Sequence, residues 1–393
     1  MNPNDENKRA LMRVMRRELL RMLSQPVYVF CMVVAPLVGY IFFTTLMGQG
    51  LPMDIPIGVV DEDNTAVTRQ VLRNLDAFQQ SEIVEQYANF SEAREAIQQG
   101  KIYAFYYIPK GTTEMALSSK QPEVSFYTNP SYLVAASLEY RDMKTMAELA
   151  SGAIARETLY AKGYADEQVM GILQPIKMEM HAIGNPGLNY SIYLSNILLP
   201  AMLMLLIFQV TIYSIHSEVK EGTSKHWMEM ANGNIYRALV GKLLPQLAVW
   251  IVMGATYMVV LYAFWDFPLK SGLWSMALAA LLLILVSQAF GVCLCELLPS
   301  LRWALSIATL WGVLSFPISG FSFPQIAFPA PLRALSYLFP LRYYYLTYVD
   351  QALNGLPLCY SWANFAALLA FLALPMLLPN RLKKCLLEYQ YTR

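Results

Sequence analysis

Long uncharged apolar runs alternate with short charged connections along this chain. Residues 27–47, 192–215, 243–264, 273–295 and 360–378 meet or approach the roughly 20 residues that carry a helix across a bilayer. A shorter run, 303–319, contains Phe316-Pro317 and continues into more apolar sequence, giving six predicted spans. Helices of a soluble core do not come as several uncharged runs of this length in one chain. The first run is too long for a cleaved signal peptide and no small-x-small site follows it, so it reads as a retained anchor.

Three other stretches have their own patterns. Residues 9–22 place Leu11, Val14, Met15, Leu19 and Met22 at helical spacing with arginines between them. This predicts an amphipathic helix lying on an anionic leaflet, ended by Pro26. Residues 49–189 alternate predicted strands (55–60, 83–87, 103–108, 123–127) with predicted helices (65–75, 91–99, 111–117), then two helices over 130–161 and 165–181. Such alternation argues for an α/β domain with a partly parallel sheet. In 316–354, Pro317, Pro324, Pro329, Pro331 and Pro340 forbid one straight helix. Short helices that enter the outer leaflet and return are expected there, with Tyr343, Tyr344, Tyr345 and Tyr348 at the outer interface.

The fold class is therefore an α-helical polytopic membrane protein with six spans, a re-entrant outer segment, and an extracytoplasmic α/β domain inserted after the first span. Its divisions are an interface helix at 1–26, the first span at 27–47, the α/β domain at 48–190, spans two to six at 191–379, and a tail at 380–393.

Composition agrees. Of 393 residues, 56% are hydrophobic and 15% charged, against roughly a quarter charged in soluble domains. The net charge of +1 gives no global field for nucleic acid. Basic residues cluster before the first span (Lys8, Arg9, Arg13, Arg16, Arg17, Arg21), between spans two and three, and after the last. The connection between spans three and four offers only Lys270, balanced by Asp266. By the positive-inside rule both termini are cytoplasmic. The inserted domain is then outside, and none of the five cysteines lies in it, so no disulfide scaffold follows.

The segment 216–242, HSEVKEGTSKHWMEMANGNIYRALVGK, is a charged connection on the cytoplasmic side. A short helix gripped by a soluble motor would need Gly222 for a turn, Thr223 or Ser224 as a cap, and rim charges from Glu218, Lys220 and Glu221. Trp227, Met228 and Met230 are the candidates for its apolar docking core. The bland alternative is a solvated loop. No Gly-x-x-x-x-Gly-Lys-Ser/Thr loop occurs: Gly241-Lys242 comes nearest, but Leu243 follows and Tyr236 holds the first glycine's place.

Two segments resemble the permease subunit of type-2 ATP-binding-cassette (ABC) exporters, in the subgroup with a large extracytoplasmic domain between spans one and two. One carries Glu218, Glu221-Gly222-Thr223 and Gly241-Lys242. The other runs from AFGVCLCELLPSLRWALSIATLWGV through Asn354-Gly355, with Ser319-Gly320, Phe323-Pro324, Pro329 and Pro340 at matching places. Ser24-Gln25-Pro26 departs from the family, which often has a basic residue before that proline, and Ala231-Asn232 stands where Thr/Ser-Pro is common. The resemblance implies a bacterial inner-membrane permease that moves a hydrophobic or amphipathic substrate (drug, lipid or peptide) outward. It implies ATPase coupling through Glu218–Met230, and an outer gate or exit wall at Ser319, Gly320, Phe323, Pro324, Pro329 and Pro340. It also implies no bound cofactor, ATP-Mg held by a cytosolic ATPase dimer, a second permease copy or homologue, and a periplasmic adaptor or the domain's own twin as outer contact.

Other chemistry is weakly represented. His181, His216 and His226 are too dispersed for a metal site and no His-Glu-x-x-His or nucleophile elbow occurs. Asn196 and Gln288 read as interhelical glue, and Glu296 as a partner of Arg302 or a neighbouring loop. The rival readings are a membrane-anchored sensor whose outer domain binds a ligand, and an integral-membrane enzyme, which would need paired acids or a histidine cluster at membrane depth.

Overall fold

Pro26 separates two helices of opposite character. Before it runs α1 (Pro3–Ser24), rich in arginine; after it runs α2 (Pro26–Leu46), uncharged, with a π turn at Phe30–Val34. A proline at the first helical position needs no N–H and presets the helical φ, so the chain restarts there at once. The computed structural model describes residues 3–46, 48, 50–118, 120–176, 179, 181, 184–185 and 189–389. Residues 1–48 with 182–393 form one unit and 49–181 another.

The inserted unit contains β1 (Ile55–Asp61), α3 (Ala66–Asp76), β2 (Ser81–Gln86), α4 (Phe90–Gln98), β3 (Ala104–Ile108), α5 (Thr112–Leu117), β4 (Ser125–Thr128), α6 (Leu133–Ala161) and α7 (Asp166–Leu173). The sheet order is β2-β1-β3-β4, with β1 parallel to both neighbours and β4 antiparallel to β3. Helices cover both faces, which is why β1 and β3 are nearly continuous apolar runs. Ile57, Ala104, Tyr106 and Ile108 meet Leu75 of α3 and Met143 and Met146 of α6; Val60 and Phe105 meet Ala93 and Ala96 of α4. Thr65 and Thr68 form a reciprocal cap at α3, and Asn89 caps α4. The helix expected over 165–181 ends at Leu173; Lys177, Met178 and Met180 lie outside the described residues.

The rest of the first unit is helical: α8 (Tyr190–Lys220), α9 (Ser224–Met230), α10 (Ile235–Phe264), α11 (Leu273–Leu297), α12 (Leu301–Ile318), α13 (Ala330–Ser336), α14 (Pro340–Tyr348), α15 (Trp362–Phe371) and α16 (Pro379–Glu388). Among the described residues, α2, α8, α10, α11 and α12 are long and apolar enough to cross a membrane. The stretch Trp362–Met376 with Pro379–Glu388, bent by 41°, is the sixth if counted as one span. Helices α8 and α11 are central, with Phe208 stacked on Phe290 at 5.0 Å. Small residues bring the helices close: a Cβ on Gly291 would stand 2.9 Å from Thr211 Cβ, and one on Gly312 2.6 Å from Leu205 Cδ1. Val38, Ile41 and Phe42 of α2, Val252 and Val259 of α10, and Leu310 and Val313 of α12 are exposed, a surface suited to acyl chains rather than water.

Candidate functional site

Glu218 sits in the last turn of α8, and its carboxylate is fully buried. Arg17 of α1 grips it with both terminal nitrogens, Nη1 to Oε1 and Nη2 to Oε2, each at 2.8 Å. Arg21 donates to Oε1 at 2.5 Å and Lys242 of α10 donates to the same oxygen at 2.8 Å. The Thr223 hydroxyl donates to Oε2. Lys242, also fully buried, bridges onward to Glu18 of α1 at 2.7 Å, and Gln246 donates to the other Glu18 oxygen at 2.8 Å. Arg21 continues outward to Glu221 at 2.7 Å and to Ser217 at 3.1 Å. Three cations (Arg17, Arg21, Lys242) thus meet three carboxylates (Glu18, Glu218, Glu221), and the cluster is neutral.

Such a cluster is stable only if every charge is paired, since each ion leaves water at a cost of several kcal/mol. Burial disfavours the Arg21 cation, and the carboxylates of Glu218 and Glu221 and the Tyr28 phenol more than reverse this, raising its pKa above the ordinary arginine value. Local sequence builds the geometry. Glu18 and Arg21, with Ala10, Val14 and Met22, fall on the buried face of α1. Gly241 lets that face reach α10, because a Cβ there would lie 2.8 Å from Val14 Cβ. Gly222 turns at φ +72°, and the backbone N–H of Thr223 closes the turn on the Glu218 carbonyl at 2.8 Å. Asn232 and Gly233 turn at positive φ, and Asn234 caps α10 through the Arg237 N–H.

The residues expected to couple to a motor divide into two groups. Lys220, Glu221 and Gly222 are exposed, Thr223 and Met230 partly so. Glu218, Trp227 and Met228 are buried in the chain's own core, where the Trp227 ring lies 4.8 Å from Lys242 Nζ. Trp227 and Met228 therefore present no apolar surface outward; the outward face of α9 is Lys225, His226 and Glu229. Neither Thr223 nor Ser224 caps α9: the Thr223 hydroxyl is spent on Glu218, because a buried carboxylate is the stronger acceptor. The amphipathic α1 likewise differs from expectation. Its docked face carries Arg17, Glu18 and Arg21 beside Ala10, Val14 and Met22, while Met12, Leu19, Leu20 and Leu23 are exposed along with Lys8, Arg13 and Arg16. Sequence reading missed Arg17, Glu18, Arg21, Lys242 and Gln246 as one constellation. The lone Glu18 among arginines and Lys242 inside an apolar helix were the available signals.

At the far end of α8, Tyr193 donates to the Phe321 carbonyl at 3.0 Å and places the turn after α12. There Ser319 is buried and donates to the Phe316 carbonyl, and Gly320 has φ +96° with Gln325 against it. Phe323 is 68% exposed, Pro324 precedes a single 3-10 turn, Pro329 precedes α13, and Pro340 begins α14. Tyr344 and Tyr348, expected at the outer interface, are instead buried. The Tyr344 hydroxyl shares a 2.7 Å hydrogen bond with Tyr257, the partner a buried phenol requires. Asn196 accepts from Tyr262 at 3.2 Å, and Gln288 donates to the Leu243 carbonyl at 3.3 Å, so both amides join helices. Glu296 accepts from the Leu378 N–H at 3.3 Å, contacting the neighbouring loop rather than Arg302.

A family model described as "ABC-2 family transporter protein" matches residues 26–379. Curated proteins offer no match to this chain.

Proposed function

Because this chain belongs to the ABC-2 transporter family, a family of permease subunits that work with an ABC ATPase, we propose that it is the six-span membrane half of an ATP-driven exporter. The single observation that carries the reading of its motor-facing surface is the neutral ion cluster around Glu218, which ties α1, α8 and α10 into one block beneath α9. Force applied to the outward face of α9 (Lys225, His226, Glu229) would pass through Trp227 and Lys242 into α8 and α10, two long helices of the bundle. A rigid block with matched charges transmits a push; a solvated loop would absorb it.

In this reading α9 faces the cytoplasm and seats on an ATPase dimer, two permease copies rock against each other, and the broken segment from Ser319 to Pro340 walls the exit. The inserted domain lies outside the cytoplasm of a bacterial inner membrane, facing its twin or a periplasmic adaptor. The substrate is hydrophobic or amphipathic. The test is co-purification of the full chain with a co-expressed soluble ATP-binding subunit, comparing wild type with Lys225→Glu/Glu229→Lys. Reduced recovery of the ATPase with normal membrane insertion is expected. Equal recovery from both would remove α9 as the docking element.

A further inference from the structure

Arg342 is the third residue of α14, is only 7% exposed, and its Nε and Nη1 have no hydrogen-bond partner. No ion pair reaches it among the described residues. Its guanidinium carbon lies 4.0 Å from the Tyr337 ring centre and 5.3 Å from that of Tyr343. Tyr337 precedes the helix by three residues, so the guanidinium folds back over the N-terminal end of α14. That end begins with Pro340, and Phe339 at its N-cap gives no side-chain cap to the first turn.

The depth of this end follows from its neighbours. Phe339 stacks on Trp311 at 4.5 Å, Trp311 lies 5.5 Å from Phe290, and Phe290 stacks on Phe208. Trp311, Phe290 and Phe208 are interior positions of the membrane-length helices α12, α11 and α8. Tyr343 joins the cluster of Leu282 and Val286, again well inside α11, and Phe371 at the C-terminal end of α15. The opposite end of α14 returns towards Ser361, which donates to Asp350 at 3.0 Å at the start of α15. A half-helix therefore points its positive end into the apolar interior, beside a guanidinium with no counter-charge among the described residues and two N–H groups without acceptors. Charges at that depth are costly and as a rule functional. Two tyrosine faces soften that cost and the Tyr343 hydroxyl engages part of the fork, but neither ring supplies a counter-charge, and Nε and Nη1 keep no acceptor. A helix N-terminus and a guanidinium fork both select an oxyanion.

We propose that Arg342 and the N-terminal turn of α14 bind the carboxylate or phosphate group of an anionic amphiphile, whose apolar body lies along the aromatic layer. This rests on the exporter reading only for calling the amphiphile cargo; the binding itself needs no ATPase. The test uses the full chain in phosphatidylcholine nanodiscs, titrated with 11-(dansylamino)undecanoic acid and with its methyl ester. The acid should bind about tenfold or more tightly than the ester, the scale of one charge-assisted hydrogen-bonded contact in a dry site. Arg342→Gln should erase that preference while leaving ester binding unchanged, which also shows that the variant is folded; Arg342→Lys should keep part of it. Equal binding of acid and ester by wild type, or a preference surviving in Arg342→Gln, overturns the proposal. So does displacement of the acid by inorganic phosphate at the concentration where oleoyl lysophosphatidate displaces it, since the tail would then contribute nothing. Loss of acid binding when phosphatidylglycerol is added to the nanodisc supports the site with bilayer lipid as occupant, and undiminished binding supports it with cargo. A chain that binds the acid yet stimulates no ATPase would sink the exporter reading and leave this one standing.

Discussion

Arg17 holds Glu218 through two parallel hydrogen bonds of 2.8 Å across 201 residues of sequence. The first helix of the chain is thereby fixed to the end of the second membrane span, at the point where α9 begins. A bidentate pair fixes orientation as well as distance, so α1 cannot slide on α8 without breaking it. This makes α1 part of one packed block with α8 and α10 rather than a loose surface float.

Truncating one member of the buried cluster should cost more than truncating two. Lys242→Met leaves Glu18 and Glu218 short of a cation and should destabilise the fold by about 3–5 kcal/mol, the usual cost of an uncompensated buried charge. Adding Glu18→Gln restores neutrality and should recover more than half of that. Thermal unfolding in detergent, followed by tryptophan fluorescence, reads both. An additive double variant would show that Lys242 and Glu18 do not share the interaction seen at 2.7 Å.

Reversing Glu221 should separate hydrolysis from transport. The Glu221 carboxylate accepts from Arg21 at 2.7 Å yet is 43% exposed, so it stands at the outer edge of the buried cluster. Glu221→Arg sets two guanidinium groups against each other there. Normal insertion, continued ATP hydrolysis by the partner and export reduced tenfold or more are expected. Transport at the wild-type rate would detach this residue from coupling.

Gly241 tests the closeness of α1. Gly241→Val overpacks the contact with Val14 and should lift α1 from α10 at a cost of about 1–3 kcal/mol. Trypsin should then cut between Arg13 and Arg21 faster than in wild type. Val14→Ala in the same chain makes room and should slow cleavage again. Unchanged cleavage in the single variant would mean that α1 is not held there.

The inserted domain should lose stability as pH rises. Glu139 on α6 is fully buried, and burial pushes its pKa up to about 8; the Ser81 hydroxyl at 3.2 Å opposes this and neighbouring Asp142 adds to it. An unfolded glutamate titrates near its ordinary value, about 4.3. Between that value and about 8 the folded domain holds a proton that the unfolded chain lacks, so stability falls through this window and levels off above it. Hydrogen exchange of α6 and β2 amides, compared with Glu139→Gln at each pH, removes the intrinsic dependence. The wild type should exchange progressively faster than the variant from about pH 5 to about pH 8. A constant ratio would contradict it.

Much of the architecture was legible because its determinants are local. A run of some twenty apolar residues such as 273–295 has few ways to satisfy its backbone except as a spanning helix. Alternation such as Ile55–Asp61 followed by the Thr65 cap and α3 marks a βα unit without reference to anything distant. The prolines from Pro317 to Pro340 announced broken helices because each removes a donor and fixes φ. Gly222 was readable as a turn for the same kind of reason.

The functional cluster was not local. Arg17 and Arg21 carry the same signature as the other basic residues before the first span, and nothing within α1 says that two of its charges turn inward. Trp227 and Met228 look like docking anchors in a short charged loop, and only the packing of α9 over Lys242 reveals that they are consumed internally. Arg342 carries no local signal of its own; only the start of α14 among Phe339, Trp311 and Phe290 places it at depth. By itself the sequence determined which segments enter lipid and which fold apart from it, since that depends on hydrophobicity over a single turn or span. Tertiary structure alone decided which charges meet, because pairing Glu218 with residues 17, 21 and 242 depends on how separate helices cross, a property no single segment encodes.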